Sequence, residues 1–321
     1  MIIKQLNIFL TFLLSFFLLS FSKLEAQELF PYAESANPQL QKAFSYRINA
    51  EYYNDLQQNY KNWLGISGIY GITKNLTSII TLSGSNHHIK SFPKGFATYF
   101  LNHHTQYNSK YPFQFEGIHG MLKYRILKWD GFRRHLRLAL YAEKSWNNVA
   151  HDEAEPNLKG DNAGWGTGAI STILWHRFAT SITAGFVNPK SYYDKKSDVT
   201  IRSGDMYLVN LSFGYLLFPK RYESYDDLNI NIYAEFAYRN YQKVSLSQGA
   251  NVFDLTNYTF GDPFTFNSLQ ARQYCDLRTS IQFIFNSKSR IDIGVAWKLW
   301  KQSYVHQYPM LNIGYQKNIF K

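Results

Sequence analysis

The stretch "QYPMLNIGYQKNIFK" (residues 307–321) ends the chain on an alternation. Leu311, Ile313, Tyr315 and Ile319 fall on one face, and Asn312, Gly314, Gln316 and Asn318 on the other. Successive side chains of a strand point to opposite faces, so this is a strand with one apolar and one polar side. A strand pattern carried to the last position, Lys321, suits a sheet that closes on itself, in which the last strand pairs with the first around Phe44 to Tyr52. Lys317 interrupts the apolar series and Phe320 falls on the polar parity. The terminal register is therefore open to a bulge.

The same period of two recurs upstream. In "FSYRINAEYY" (44–53), Phe44, Tyr46, Ile48, Ala50 and Tyr52 oppose Ser45, Arg47, Asn49 and Glu51. "RHLRLALYAEK" (134–144) sets Leu136, Leu138, Leu140 and Ala142 against Arg137, Ala139, Tyr141 and Glu143. "MYLVNLSFGYLL" (206–217) and "LNINIYAEFAYRN" (228–240) repeat the arrangement. Twelve such segments are expected, near 42–53, 61–72, 76–87, 114–128, 134–146, 164–175, 178–187, 204–218, 228–242, 271–286, 290–301 and 308–320. Ten or fourteen would also satisfy closure with an even number. Their length exceeds the five or six residues usual in globular sheets and fits tilted membrane-crossing strands. Connections alternate between short, as at "TKN" (73–75), and long, as at 88–113 and 243–270. Sorting by parity puts short turns at one end and long loops at the other, the asymmetry of outer-membrane barrels.

Composition agrees. The chain holds 25 Tyr, 25 Phe and 7 Trp, amphipathic rings that suit membrane–water interfaces. Its single cysteine, Cys275, excludes an internal disulfide. Lys4, the apolar run "LNIFLTFLLSFFLLSF" (6–21) and the Leu24/Ala26 cleavage pattern read as an export signal over residues 1–26. Residues 27–41 are expected to be an irregular periplasmic lead-in, and 42–321 a single barrel domain. The formal charge is +11, and removal of Lys4, Lys23 and Glu25 leaves about +10. An exported chain of this kind meets anionic lipopolysaccharide or solutes, and nucleic acid is not an expected partner.

These features together resemble the outer-membrane β-barrel proteins of Bacteroidota-type bacteria: a signal with an Ala-Gln cut, long aromatic strands and a barrel to the last residue. The resemblance spans about 280 residues and rests on pattern, without a diagnostic motif. It implies insertion by the barrel-assembly machinery into the cell outer membrane, and transfers no catalytic or binding residue.

The polar faces point to the lumen. They carry Arg47, Glu51, His119, Lys123, Arg125, Arg137, Glu143, Glu235, Arg239, Asp276, Arg278, Asp292 and Lys298. Opposite charges on neighbouring strands can pair across the sheet and fill a narrow barrel. They can also form a selectivity surface, and the basic residues Lys123, Arg125 and Arg137 favour an anion. Two histidine pairs, His87/His88 and His103/His104, are candidate metal ligands. Adjacent strand residues point to opposite faces, so each pair offers one ligand unless its backbone is irregular. No Cys, Asp or Glu lies between the pairs. Ser85 and His87 have the spacing of a nucleophile and base on one strand face, in reverse of the His-x-Ser order of known lipid-hydrolysing barrels; no His-x-Ser occurs here. "GDNAGWGTGA" (160–169) lacks the Gly-Lys-Ser/Thr ending of a phosphate loop and reads as a flexible tip followed by a closely packed strand surface. No cofactor is called for. The sequence thus points to a transmembrane antiparallel up-and-down β-barrel serving as a channel or binding barrel for a small solute. A lipid hydrolase and a structural partner in an envelope complex are the alternatives.

Overall fold

The structure is a computed structural model, and it describes residues 30–54, 60–88, 111–147, 149, 156–221, 224, 226–252, 270–301 and 307–319. The strands in chain order are β1 (Phe44–Asn54), β2 (Tyr60–Gly71), β3 (Leu76–Ser85), β4 (Gln114–Gly131), β5 (Arg134–Asn147), β6 (Gly164–Trp175), β7 (Phe178–Pro189), β8 (Tyr192–Asp194) and β9 (Val199–Arg202). They continue with β10 (Met206–Phe218), β11 (Asn229–Tyr241), β12 (Ser245–Gln248), β13 (Asn251–Val252), β14 (Arg272–Phe285), β15 (Ser289–Trp300) and β16 (Gln307–Ile319). Twelve of them form a closed antiparallel barrel in the order β1-β16-β15-β14-β11-β10-β7-β6-β5-β4-β3-β2. Each period-two segment of the sequence became one barrel strand, because alternation is stable only where one face is buried against polar groups and the other against apolar ones.

The closing seam runs from Phe44↔Ile319 to Tyr52↔Leu311 without interruption. Lys317 pairs with Tyr46 and keeps the register, so no bulge forms at that end; the shift falls beyond Tyr52 instead. Phe320 and Lys321 lie outside the described residues. Both ends of the barrel chain thus meet at one rim, here the terminal end, with the short turns at 72–75, 132–133, 176–177 and 286–288. The long connections lie at the other rim, the loop end. Two of them, after β7 and after β11, supply β8, β9, β12 and β13. These make a small sheet ordered β13-β12-β9-β8 that the loop lengths had not foretold.

The exterior is a belt of exposed apolar side chains, among them Ile66, Ile80, Leu122, Leu140, Ile182, Leu211, Ile232, Ile293 and Ile313. Aromatic residues edge it at both rims. Phe44, Tyr70, Trp129, Trp175 and Phe218 lie at the terminal end, with Tyr60, Phe115, Trp146, Trp165, Trp297 and Trp300 at the loop end. An apolar exterior this continuous is incompatible with water and matches a hydrocarbon layer flanked by headgroups.

Residues 30–41 correct an expectation. They are irregular, as read from the sequence, but they lie inside the barrel and not beyond its rim. Gln41 bridges to Gly71 at the terminal end. The Gln39 amide donates to Thr77 Oγ1 at 2.8 Å, and the Ala36 amide to Thr172 Oγ1 at 2.9 Å. The Tyr32 and Ala33 amides donate to the two carboxylate oxygens of Glu235 at 3.1 and 3.0 Å. An irregular segment can be buried because strand side chains satisfy its backbone. Its small residues fit two apolar clusters of the inner wall. Ala36 packs with Ile69, Ile79, Met121, Ala139, Tyr141 and Ile170. Phe30 and Ala33 pack with Ala179 and Tyr233. The inner wall is thus apolar in part, where the alternation alone suggested polar lining.

Ile313 sits mid-belt on the closing strand, exposed between Ala50 and Ile293. Ile313→Arg is expected to destabilise the barrel by about 2–4 kcal/mol, measured by denaturant unfolding in lipid vesicles. Asn312→Ala, on the inward face, should cost clearly less.

Candidate functional site

The inward charges are ordered by pairing. Arg47 donates to Glu34 Oε1 at 2.7 Å and to Gln316 Oε1 at 3.0 Å. Lys123, 1% exposed, reaches the Ser35 carbonyl at 2.8 Å and Glu34 Oε2 at 3.4 Å. Glu34, which the sequence reading passed over, therefore bridges two strand cations. Burial would push its carboxyl up, but Arg47 and Lys123 hold it well below the usual carboxylate range. Further round the wall, His119 pairs with Glu143 at 2.9 Å, and Arg239 donates to Asn210 Oδ1 at 2.8 Å. Arg278 lies 3.7 Å from Glu51 and 3.8 Å from Asp276, over the Tyr32 ring at 4.5 Å. Asp292 accepts from Gln282 Nε2 at 2.8 Å and faces Arg290 at 3.2 Å.

Three residues read as lumen-lining are elsewhere. Arg125 is at the terminal rim, bonded to the Lys74 carbonyl at 3.1 Å and Asn75 Oδ1 at 2.6 Å. Arg137 binds the Trp129 carbonyl at 3.0 Å and the Asp130 carboxylate in the same rim region. Both lie near the turn of the long β4–β5 hairpin, whose register shifts between Arg125 and Leu127, and neither borders the chamber. Lys298 is exposed at the loop end.

Between the N-terminal segment and the loop end lies a cavity of 260 Å³. Tyr32, Ala33 and Glu34 form its floor; Pro156, Asn157, Leu158, Lys159 and Asp161 lean in from the loop end. Six carboxylates border it (Glu34, Glu51, Glu143, Asp161, Glu235 and Asp276) against four cations (Arg47, Lys159, Arg239 and Arg278). Gly166 and Gly168 on β6 make room in its wall. A Cβ on them would lie 2.6 Å from Glu143 Oε1 and from the Tyr141 ring, so the close-packed reading of this glycine strand holds. The preceding tip is an ordered turn. The Asn162 amide donates to the Asn157 carbonyl at 2.8 Å, and the Asn157 amide donates to Asn162 Oδ1 at 3.0 Å. Trp63 Nε1 donates to the Lys159 carbonyl at 2.9 Å, and Asn147 Nδ2 to that of Gly160.

That turn carries Asp161 to a cluster at the edge of the cavity. β3 ends at Ser85, and residues 86–88 form a bend. The bend lets two adjacent histidines face the same way. Nε2 of His87 and Nε2 of His88 both lie 2.9 Å from Asp161 Oδ1. Glu116 joins them: its Oε1 is 3.3 Å from His88 Nε2 and 3.9 Å from His87 Nδ1. Glu116 is on the outward parity of β4. Ser83 pairs with Gly117 and Gly84 with Phe115, so Glu116 is the extra residue of a bulge that turns it inward. Burial would push the Asp161 carboxyl up, but the two imidazoles hold it well below the usual range. Ser85 and His87 come together without forming a nucleophile–base pair. The Ser85 hydroxyl donates to Glu116, and it is the His87 backbone amide, at 3.2 Å, that donates to Ser85 Oγ. His103 and His104 lie outside the described residues.

No protein-family model and no curated protein matches the sequence. Among solved structures the chain is similar to an outer-membrane channel from Pseudomonas putida F1. The TM-score is 0.53 at 9% identity, covering 94% of this chain and all of that one. The likeness is one of fold. Looser resemblances, to the NanC porin (TM-score 0.41, 8% identity, 86% and 99% of the two chains) and to LpxR from Salmonella typhimurium (0.35, 9%, 85% and 99%), fall below the level of a shared fold.

The Glu34 bridge yields a pH prediction. Its folded pKa is depressed, so its contribution is complete above the unfolded pKa and is lost as pH falls through the folded value. The N-terminal segment should stay seated, and protected from added protease, through neutral and mildly acidic pH. Glu34→Gln, which removes the carboxylate shared by Arg47 and Lys123 at a cost of about 3–5 kcal/mol, should expose it at pH 7.

Proposed function

We propose that this protein is an outer-membrane barrel that admits a small polar solute to an internal chamber, with its N-terminal segment as a plug on the periplasmic side. The observation that carries the proposal is the cavity between plug and inward-leaning loop, lined by fixed charges of both signs. Its 260 Å³ is near the lower end of small-molecule sites, which suits a solute of few heavy atoms. The apolar belt, the aromatic rims and the sorting of loops by length support the membrane assignment and an orientation with the loop end facing outward from the cell. The charge balance favours a different preference from the anion the sequence suggested. Of Lys123, Arg125 and Arg137, the basis for an anion, the two arginines sit at the terminal rim and Lys123 is engaged by Glu34 and the Ser35 carbonyl, while carboxylates predominate around the chamber. A cationic or zwitterionic solute fits this wall better than an anion does.

Passage through the barrel requires the plug to shift, since residues 30–41 take up the lumen at the terminal end. In planar bilayers the intact protein should conduct poorly. A variant lacking residues 27–40 should conduct several-fold more, with cations preferred in a salt gradient. Unchanged conductance after the deletion would remove the plug from the mechanism, and anion preference would overturn the charge argument. The hydrolase reading draws less support, since Ser85 and His87 are buried in the lumen and the ring does not bond the hydroxyl.

A further inference from the structure

The geometry points to a function for the His87–His88–Glu116–Asp161 cluster that is separate from solute passage: we propose that it binds one divalent transition-metal ion of the zinc class. One ligand atom from each of the four residues can be chosen so that all lie within 4.8 Å of one another. Around a zinc ion with bonds of about 2.0–2.1 Å, neighbouring ligand atoms of a tetrahedron stand about 3.3 Å apart. His87 Nε2 and His88 Nε2 each stand 2.9 Å from Asp161 Oδ1, and His88 Nε2 stands 3.3 Å from Glu116 Oε1, close to that edge; the widest pair of the set stays within 4.8 Å, so an ion would draw it in by about 1.5 Å at most.

Local structure supports a built site. Three irregularities converge on one point: the bulge that turns Glu116 inward, the bend that brings both imidazoles to one side, and the turn that inserts Asp161. Regular strands would have delivered at most one histidine of the pair and would have sent Glu116 to the outer face. Within the cluster, His87 Nδ1 and Glu116 Oε2 are buried with no hydrogen-bond partner among the described residues. Their residues are only 6% and 3% exposed. Gly160 keeps the space beside Glu116 Oε2 open, since a Cβ there would come within 2.5 Å of it. Outside the cluster, Ser85 donates its hydroxyl to Glu116 and orients the carboxylate, as outer partners of metal ligands do.

The chemistry of the four side chains suits a cation. Among the described residues, the salt-bridge partners of Glu116 and Asp161 are the two histidines. One cation held between Glu116 and Asp161 would engage both carboxylates at once. The two imidazoles are tilted by 47° with ring centroids 3.8 Å apart, close enough for one ion to meet both. One divalent cation neutralises the carboxylates and leaves the imidazoles neutral, the form in which they bind metals. The donor set of two nitrogens and two carboxylates selects zinc, or cobalt, nickel and copper(II) after it. Calcium and magnesium prefer all-oxygen shells. His87 and Asp161 also border the chamber, which gives the ion a way in.

The test uses the full-length protein, folded in detergent, stripped with chelator and dialysed against Zn²⁺ or Co²⁺. One ion per chain is expected, with the intense visible absorption of tetrahedral Co²⁺. His88→Ala and Asp161→Asn should each abolish stoichiometric binding, and Ser85→Ala should weaken it about 10-fold or more. Heat-modifiable gel migration checks folding. Asp161→Asn is nearly isosteric and decides the matter alone if His88→Ala does not fold. Absence of bound metal in the folded wild type would overturn the proposal. So would binding unchanged in Asp161→Asn, or binding that follows His103→Ala and His104→Ala instead. Bilayer conductance reads the solute proposal separately, so either can fail alone.

Discussion

Everything in this molecule depends on the hydrogen-bonded seam between its first and last strands. A sheet with open edges cannot sit in hydrocarbon, because each unpaired backbone group there costs several kcal/mol. Pairing of Phe44–Tyr52 with Leu311–Ile319 removes those edges and sets the parity of the two strands it joins. With parity fixed, apolar side chains must face outward and polar ones inward, and the interior becomes the place where charge has to be neutralised.

The interior meets that demand partly from the strands and partly from the N-terminal segment. Arg47 and Lys123 converge on Glu34, which comes from outside the sheet altogether. Glu235 is satisfied by the amides of Tyr32 and Ala33 and by Ser212. The segment thus serves as counter-charge, hydrogen-bond donor and apolar filler at once. What it leaves unfilled is the chamber.

The candidate metal cluster shows where regular structure ends. Period-two geometry separates His87 from His88 and turns Glu116 outward, and no spacing in the sequence links either to Asp161, which lies 73 residues beyond His88. A β-bulge, a bend and an ordered turn undo each of those separations. The glycines of 160–168 carry two roles that composition could not tell apart. Gly160 makes space for a carboxylate in a turn, whereas Gly166 and Gly168 make space for Glu143 and Tyr141 in the wall.

By itself the sequence determined the barrel. Alternation over long segments, the even strand number, the sorting of turns and loops and the pairing of the first strand with the last all follow from local period and closure, which are readable along a chain; that Lys317 keeps the register opposite Tyr46 was settled by the fold. Most of the inward charges, from Arg47 to Asp292, were legible for the same reason. Tertiary structure alone decided that Arg125 and Arg137 belong to the rim, that residues 30–41 fold back into the lumen, and that Glu116 and Asp161 join the two histidines. Those outcomes depend on where a strand passes the edge of the chamber, on which buried charges lack partners, and on breaks in the period. They are contacts between distant segments, and periodicity carries no record of them.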